Sequence, residues 1–294
     1  MNKFLERLNS GKVLVADGAT GSNLQKMGLK PGQAPEDLVI DNPDILLKLE
    51  SMFVEAGSDI ILTCTFGGTR MRMKDSKYQE RAPEVNTRAG ELARRAASAR
   101  TGVLVAGSMG PVGALIKPYG PLDAEEVKVT FAEQAIALTE GGVDLLVIET
   151  MFSFEETTAA YEGARSATDL PIVVSFSYDR GTRSMMGVKP KDVMKKYARM
   201  GANVIGANCG TTLENMETVI KEYADTVTNF PMWAKPNAGV PRMDVQTEKA
   251  IYDTSPEDMA VFAKKYVALG AKIVGGCCGS TPEHVAAIAR AVKK

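Results

Sequence analysis

Histidine is almost missing: His284 is the one imidazole in 294 residues. Chemistry that needs paired histidines is therefore excluded. An excess of charge of either sign is missing too. Lys plus Arg number 35 against 36 Asp plus Glu, a formal net charge of −1. That leaves no basic field for nucleic acid or an anionic membrane surface. No apolar run approaches the roughly 18 residues of a membrane span. The opening MNKFLERLNSGK has no apolar core of the kind a secretory signal carries. Cysteine is scarce: four in a chain this long do not make a disulfide framework, so the expected setting is a reducing cytoplasm. What remains is an ordinary soluble composition, 45% apolar and 24% charged. The length suits two average domains or one α/β barrel.

A short pattern recurs along the chain: glycine, a small residue, a polar residue, then an apolar run. It appears as Gly57-Ser-Asp-IILT, Gly142-Val-Asp-LLVIE, Gly201-Ala-Asn-VIGAN and Gly270-Ala-Lys-IVGG. The glycine suits the left-handed cap at the end of a helix. The run suits a strand buried on both faces, as in a parallel sheet. Val13–Ala16, Val103–Ala106, Ile172–Phe176 and Met232–Lys235 read the same way, giving eight strands. Helical apolar spacing lies between them at Pro43–Ala56 and Asp123–Glu140. Thr254-Ser-Pro-Glu and Ser280-Thr-Pro-Glu are explicit helix starts, a hydroxyl cap before a first-turn proline. Eight strands alternating with helices predict a single α/β domain over residues 1–294, a (β/α)8 TIM barrel. The rival open doubly wound sheet finds no glycine-rich dinucleotide fingerprint.

In such a barrel the strand-to-helix loops build the active face, so strand ends are the positions to interrogate. Three of the four cysteines cluster there: Cys209 after the sixth strand, Cys277 and Cys278 after the eighth. Adjacent strand residues face opposite ways, so Cys277 and Cys278 converge only if the backbone leaves strand geometry; Gly275, Gly276 and Gly279 permit that. Three thiolates can bind zinc and leave its fourth position open, as catalytic sites do. The competing readings are small buried apolar side chains, or a vicinal disulfide between Cys277 and Cys278. An open three-cysteine zinc suits another soft sulfur, so the expected reaction is alkyl transfer to a substrate thiolate, without a histidine base. Glu149 and Asp17 end strands with carboxylates. Glu149 requires a cationic partner, either a substrate ammonium or a Lys or Arg in a neighbouring loop. Asp17, before Gly18, is equally a turn former. Cys64 reads as a packed or partly exposed thiol, and His284 as a surface residue.

Several segments together resemble the homocysteine S-methyltransferase family of zinc-dependent thiol methyltransferases. They are Asp17–Gly21 (Asp-Gly-Ala-x-Gly), Gly110–Gly113, Ile148-Glu149-Thr150, Asn208-Cys209, Pro236–Pro241 and Gly275–His284. The resemblance spans nearly the whole chain. It implies a (β/α)8 barrel that methylates L-homocysteine to L-methionine, with Zn²⁺ on Cys209, Cys277 and Cys278. It also implies that the substrate's amino-acid end lies among Asp17, Gly18, Glu149 and Asn208. Glu149-Thr150 and Pro236-Asn-Ala-Gly are most similar to the homocysteine module of the cobalamin-dependent branch. The chain stops after that module, so the expected donor is methylcobalamin on a separate protein, docking on loops after Asp17, Thr63 and Gly107. S-methylmethionine, S-adenosylmethionine or betaine is the alternative donor, and a different thiol or a corrinoid the alternative acceptor. Cys64 departs from the branch, which usually has asparagine there.

Overall fold

Each repeated glycine sits where the chain turns from helix into strand. Gly57, Gly142, Gly201 and Gly270 all have φ between 79° and 104°, a conformation that costs other residues a steric penalty. The structure is a computed structural model that describes residues 2–30, 32–210, 212–243 and 250–293. Its strands are β1 (Leu14–Val15), β2 (Ile60–Leu62), β3 (Leu104–Met109), β4 (Leu145–Met151), β5 (Ile172–Phe176), β6 (Val204–Cys209) and β7 (Met232–Pro236). Then come β8 (Arg242–Met243), β9 (Ala250–Ile251) and β10 (Ala271–Val274). Eight of them pair in parallel in the order β1-β10-β7-β6-β5-β4-β3-β2. A parallel bridge from Ala16 to Ile60 closes the ring. The fold is thus the expected (β/α)8 barrel. The antiparallel ribbon of β8 and β9, in the loop after β7, is an addition that no sequence pattern announced.

The polar residue of the repeat has a mechanical role. Asp59 Oδ2 accepts from Val15 N at 2.9 Å, Asp144 Oδ2 from Val105 N at 2.8 Å, and Asn203 Oδ1 from Ile172 N at 2.9 Å. Each side chain entering an even strand caps an amide in the first two residues of its odd neighbour, at the barrel floor. These buried donors would otherwise lack partners. The fourth repeat carries Lys272, an N–H donor that cannot accept.

The strands alternate strictly. Leu14, Ile60, Leu104, Leu145, Val173, Val204, Trp233 and Ile273 share one apolar cluster inside the barrel. Phe4 and Leu8 of the first helix, Lys3–Leu8, join that cluster and plug the floor. Val15, Ile61, Val105, Leu146, Val174, Ile205 and Val274 face out to the helices. The helical patterns appear as Pro43–Glu55 and Ala124–Glu140, and both hydroxyl-proline starts open helices, Pro256–Ala268 and Pro282–Val292. Among the described residues no helix is long and apolar enough to cross a membrane.

Candidate functional site

The inward phase of each strand, followed upward, turns from apolar to polar. Leu104 and Ala106 lead to Ser108, Leu145 and Val147 to Glu149, Val173 to Ser175, Val204 to Asn208, and Trp233 to Lys235. All five polar residues are buried. The period of two therefore builds a polar layer on top of the apolar plug, at the C-terminal mouth.

Above that layer three thiols converge. Cys209 Sγ lies 3.0 Å from Cys277 Sγ and 4.0 Å from Cys278 Sγ, and the three sulfurs fall within 4.8 Å of one another. Two local departures from strand geometry bring them together. Cys209 has φ 54°, so β6 ends in a left-handed turn that re-aims a side chain otherwise bound for the outer face. β10 ends at Val274, after which Cys277 N donates to Pro236 O at 2.7 Å and Ser280 N closes a turn onto Cys277 O at 3.1 Å. Gly279 alone of the three nearby glycines has positive φ, 81°, and a Cβ there would also strike Tyr252. All four cysteines are free, so no vicinal disulfide is present. The spacings bracket the edge of about 3.8 Å expected for a tetrahedral zinc with bonds of about 2.3 Å. Hydrogen bonds from Cys209, Cys277 and Tyr252 pull the Cys278 thiol down from the ordinary thiol range. Cys209 is held well above the ordinary thiol range, chiefly by its contact with Cys277. Three converging sulfurs are a donor set that suits a soft metal.

The two mouth carboxylates are in different states. Asp17 is spent within the protein: Oδ1 takes Lys235 Nζ at 2.6 Å and Oδ2 takes Leu62 N at 2.7 Å. It is neither a simple turn former nor an open acceptor. Burial alone would push the Lys235 ammonium down, but Asp17, Glu149 and Cys277 more than offset this and raise it. Glu149 Oε1 accepts from Ser108 Oγ at 2.5 Å, and Glu149 has no ion pair among the described residues. Burial pushes its carboxyl up to about 7, against the lowering pull of Lys235. Among the described residues no loop cation pairs with it; the cation that acts on it is Lys235, from a barrel strand, which is paired with Asp17.

Asn208 has no free hydrogen-bonding capacity. Its Oδ1 accepts from Thr150 N at 2.9 Å and Ser175 Oγ at 2.7 Å. Its Nδ2 donates to Thr150 Oγ1 at 2.7 Å and, more weakly, to Cys277 Sγ at 3.8 Å. Gly18 is glycine for want of room: a Cβ there would lie 2.7 Å from the Phe53 ring and 3.0 Å from Ser280 O. Cys64 is buried and is not part of the thiol cluster. His284 is not a surface residue. It is 9% exposed, its Nδ1 accepts from Thr281 N at 3.1 Å, and its Nε2 reaches Thr254 O at 3.0 Å. It links two helix starts. Ser108 and Lys235 were not singled out from the sequence; the alternation from Leu104 and Trp233 was the signal that places them inside.

The family model for homocysteine S-methyltransferase matches residues 14–292. The chain is 28% identical over 299 aligned residues to the methionine synthases of Mycobacterium leprae and Mycobacterium tuberculosis. Those alignments cover 96% of this chain but 24% and 25% of the relatives, so it spans about a quarter of their length. Among solved structures it is similar to the metallated homocysteine methyltransferase MmuM from Escherichia coli, with a TM-score of 0.83 and 23% identity. That match covers 98% of this chain and 99% of the other, and it supports the shared fold. With the family model matching nearly end to end, the chain belongs to the homocysteine S-methyltransferase family.

Proposed function

We propose that this chain transfers a methyl group to the thiol of L-homocysteine, giving L-methionine, with one zinc ion held by Cys209, Cys277 and Cys278. The observation that carries the reading is the convergence of those three sulfurs at the mouth, beside a carboxylate that forms no ion pair among the described residues. Zinc bound there would keep the substrate sulfur as thiolate near neutral pH. Glu149 receives the substrate ammonium, and Ser108 fixes the orientation of its carboxylate. Asn208 keeps the turn at Thr150 and the sulfur of Cys277 in place. The substrate sulfur attacks the donor's methyl carbon in line, the donor's leaving group departs with the bonding pair, and proximity supplies much of the rate.

The donor in this reading is a methyl-corrinoid presented by a separate protein. Nine large apolar side chains are exposed among the described residues. Six of them (Phe66, Tyr119, Met185, Val240, Met243 and Ile251) lie on strand-to-helix loops, on the face where the thiols open. Apolar groups gathered around a polar mouth support a protein that docks and leaves. The experiment is methionine formation from homocysteine with a methylated corrinoid protein, free methylcobalamin, S-methylmethionine, S-adenosylmethionine and betaine in parallel. The corrinoid protein should be the fastest donor and free methylcobalamin slow. Fast turnover with S-methylmethionine and none with either corrinoid would overturn the donor. No methionine from any donor would overturn the acceptor.

A further inference from the structure

Lys235 is a fully buried cation inside the barrel, with its side chain 2% exposed. A lysine ammonium carries three donors. Asp17 Oδ1 takes one at 2.6 Å, and no other hydrogen bond to Lys235 Nζ exists among the described residues. Below it the Trp233 ring, 5.7 Å from Nζ to its centroid, closes the way down to the apolar plug. Buried donors without acceptors are costly, so the two remaining protons call for an acceptor delivered from the mouth. Asp17 cannot be that acceptor twice over, because its second oxygen is held by the Leu62 amide.

Glu149 is the complement. Ser108 occupies Oε1, while Oε2 has no protein partner among the described residues. The lumen thus offers one donor group at Lys235 and one acceptor group at Glu149, next to the thiol cluster. The Asp17–Lys235 pair is neutral as a unit, so Glu149 leaves a single negative charge for a ligand's cation. A ligand that fills all three positions bears a carboxylate, an ammonium and a thiol, which together make an α-amino-acid thiol.

We propose that Lys235 binds the α-carboxylate of the acceptor, so that Lys235 and Glu149 together read the zwitterion and reject thiols that lack either charge. Asp17 is the positioning residue that anchors the ammonium of Lys235 to β1 and β2. The inference rests on the thiol-acceptor reading given under Proposed function and adds a named role to a residue that reading does not use.

The test compares two thiols by calorimetry on the zinc-loaded protein: homocysteine and 3-aminopropane-1-thiol, which has the same chain and ammonium but no carboxylate. The wild type should bind homocysteine at least tenfold more tightly. The double variant Asp17→Asn/Lys235→Met removes both charges of the pair, so neither partner is left buried without the other. With zinc content and melting temperature as controls, it should bind the two thiols within about threefold of each other. A wild type without preference, or a double variant that keeps the full preference, overturns the role of Lys235 while thiol binding itself stands. Failure of both thiols to bind the wild type overturns the acceptor reading, and this inference with it. If the double variant does not fold, the wild-type ratio decides, and a ratio below threefold rejects the proposal.

Discussion

Asn208 and Thr150 clasp each other across β5 by two reciprocal hydrogen bonds, amide to Oδ1 and Nδ2 to Oγ1. Thr150 has φ 60°, an unusual conformation for a β-branched residue. The clasp is what holds that turn, directly after Glu149. Asn208→Ala would take a hydrogen-bond partner from the half-buried Thr150 amide and from the fully buried Ser175 hydroxyl. The expected loss is about 2–4 kcal/mol of unfolding free energy, read by denaturant titration at neutral pH. A loss under about 0.5 kcal/mol, the scale of an ordinary surface change, would show that the clasp is not structural.

One zinc per chain is expected, measured by metal analysis after dialysis. Each single alanine substitution at Cys209, Cys277 or Cys278 should abolish activity and release metal, because two thiolates cannot hold a catalytic zinc site on their own. Stoichiometric zinc in the Cys277→Ala/Cys278→Ala double variant would reject the ligand set. Cys64→Ser, remote from the trio, should keep its zinc.

Glu149→Gln should weaken homocysteine binding by about 1.5–3 kcal/mol, the scale of a charge-assisted hydrogen bond, and leave zinc in place. The burial-raised carboxyl, at about 7, also sets a pH dependence. Its ionised fraction grows as pH rises through that value, so binding should tighten between pH 6 and 8. The variant should lack this part of the rise. Calorimetry of both proteins across that range separates it from the thiol's own ionisation; identical pH profiles would exclude Glu149.

Glu156, on the helix Phe154–Ala167, accepts from Val112 N at 2.7 Å under the Gly110–Gly113 loop, and burial pushes its carboxyl up to about 7. A carboxyl raised in the folded state stabilises fully below its unfolded value, near 4.5, and loses that contribution as pH climbs through 7. Glu156→Gln keeps the acceptor and removes the titration. It should match the wild type near pH 4.5 and exceed its stability at pH 8 by up to ~3 kcal/mol. Parallel stability curves for the two proteins would refute the assignment.

The barrel was legible in the chain because its signals are local. A glycine at a helix end, a proline after a hydroxyl, and an apolar run of strand length each act within a few residues, and each was found where the pattern put it. The thiol trio was legible as residue types at strand ends, and the family motifs singled out the same cysteines. What the chain alone did not reveal is pairing. Asp17 and Lys235 are 218 positions apart, and only closure of the ring makes them neighbours. Cys209 and Cys277 are separated by 68, and their sulfurs meet through a left-handed residue at one strand end and a turn beyond another. Asp17 reads from the sequence as a mouth carboxylate or a turn former, and the barrel gives it an ammonium and an amide. The resemblance places Asn208 at the substrate's amino-acid end, and only the tertiary structure shows the hydrogen bonds it makes to Thr150, Ser175 and Cys277. Local sequence determined which groups stand at the mouth, because propensity and period act along the chain. Tertiary structure decided which of them remain free to meet a substrate, because burial makes each polar group find a partner, and those partners come from strands distant in sequence.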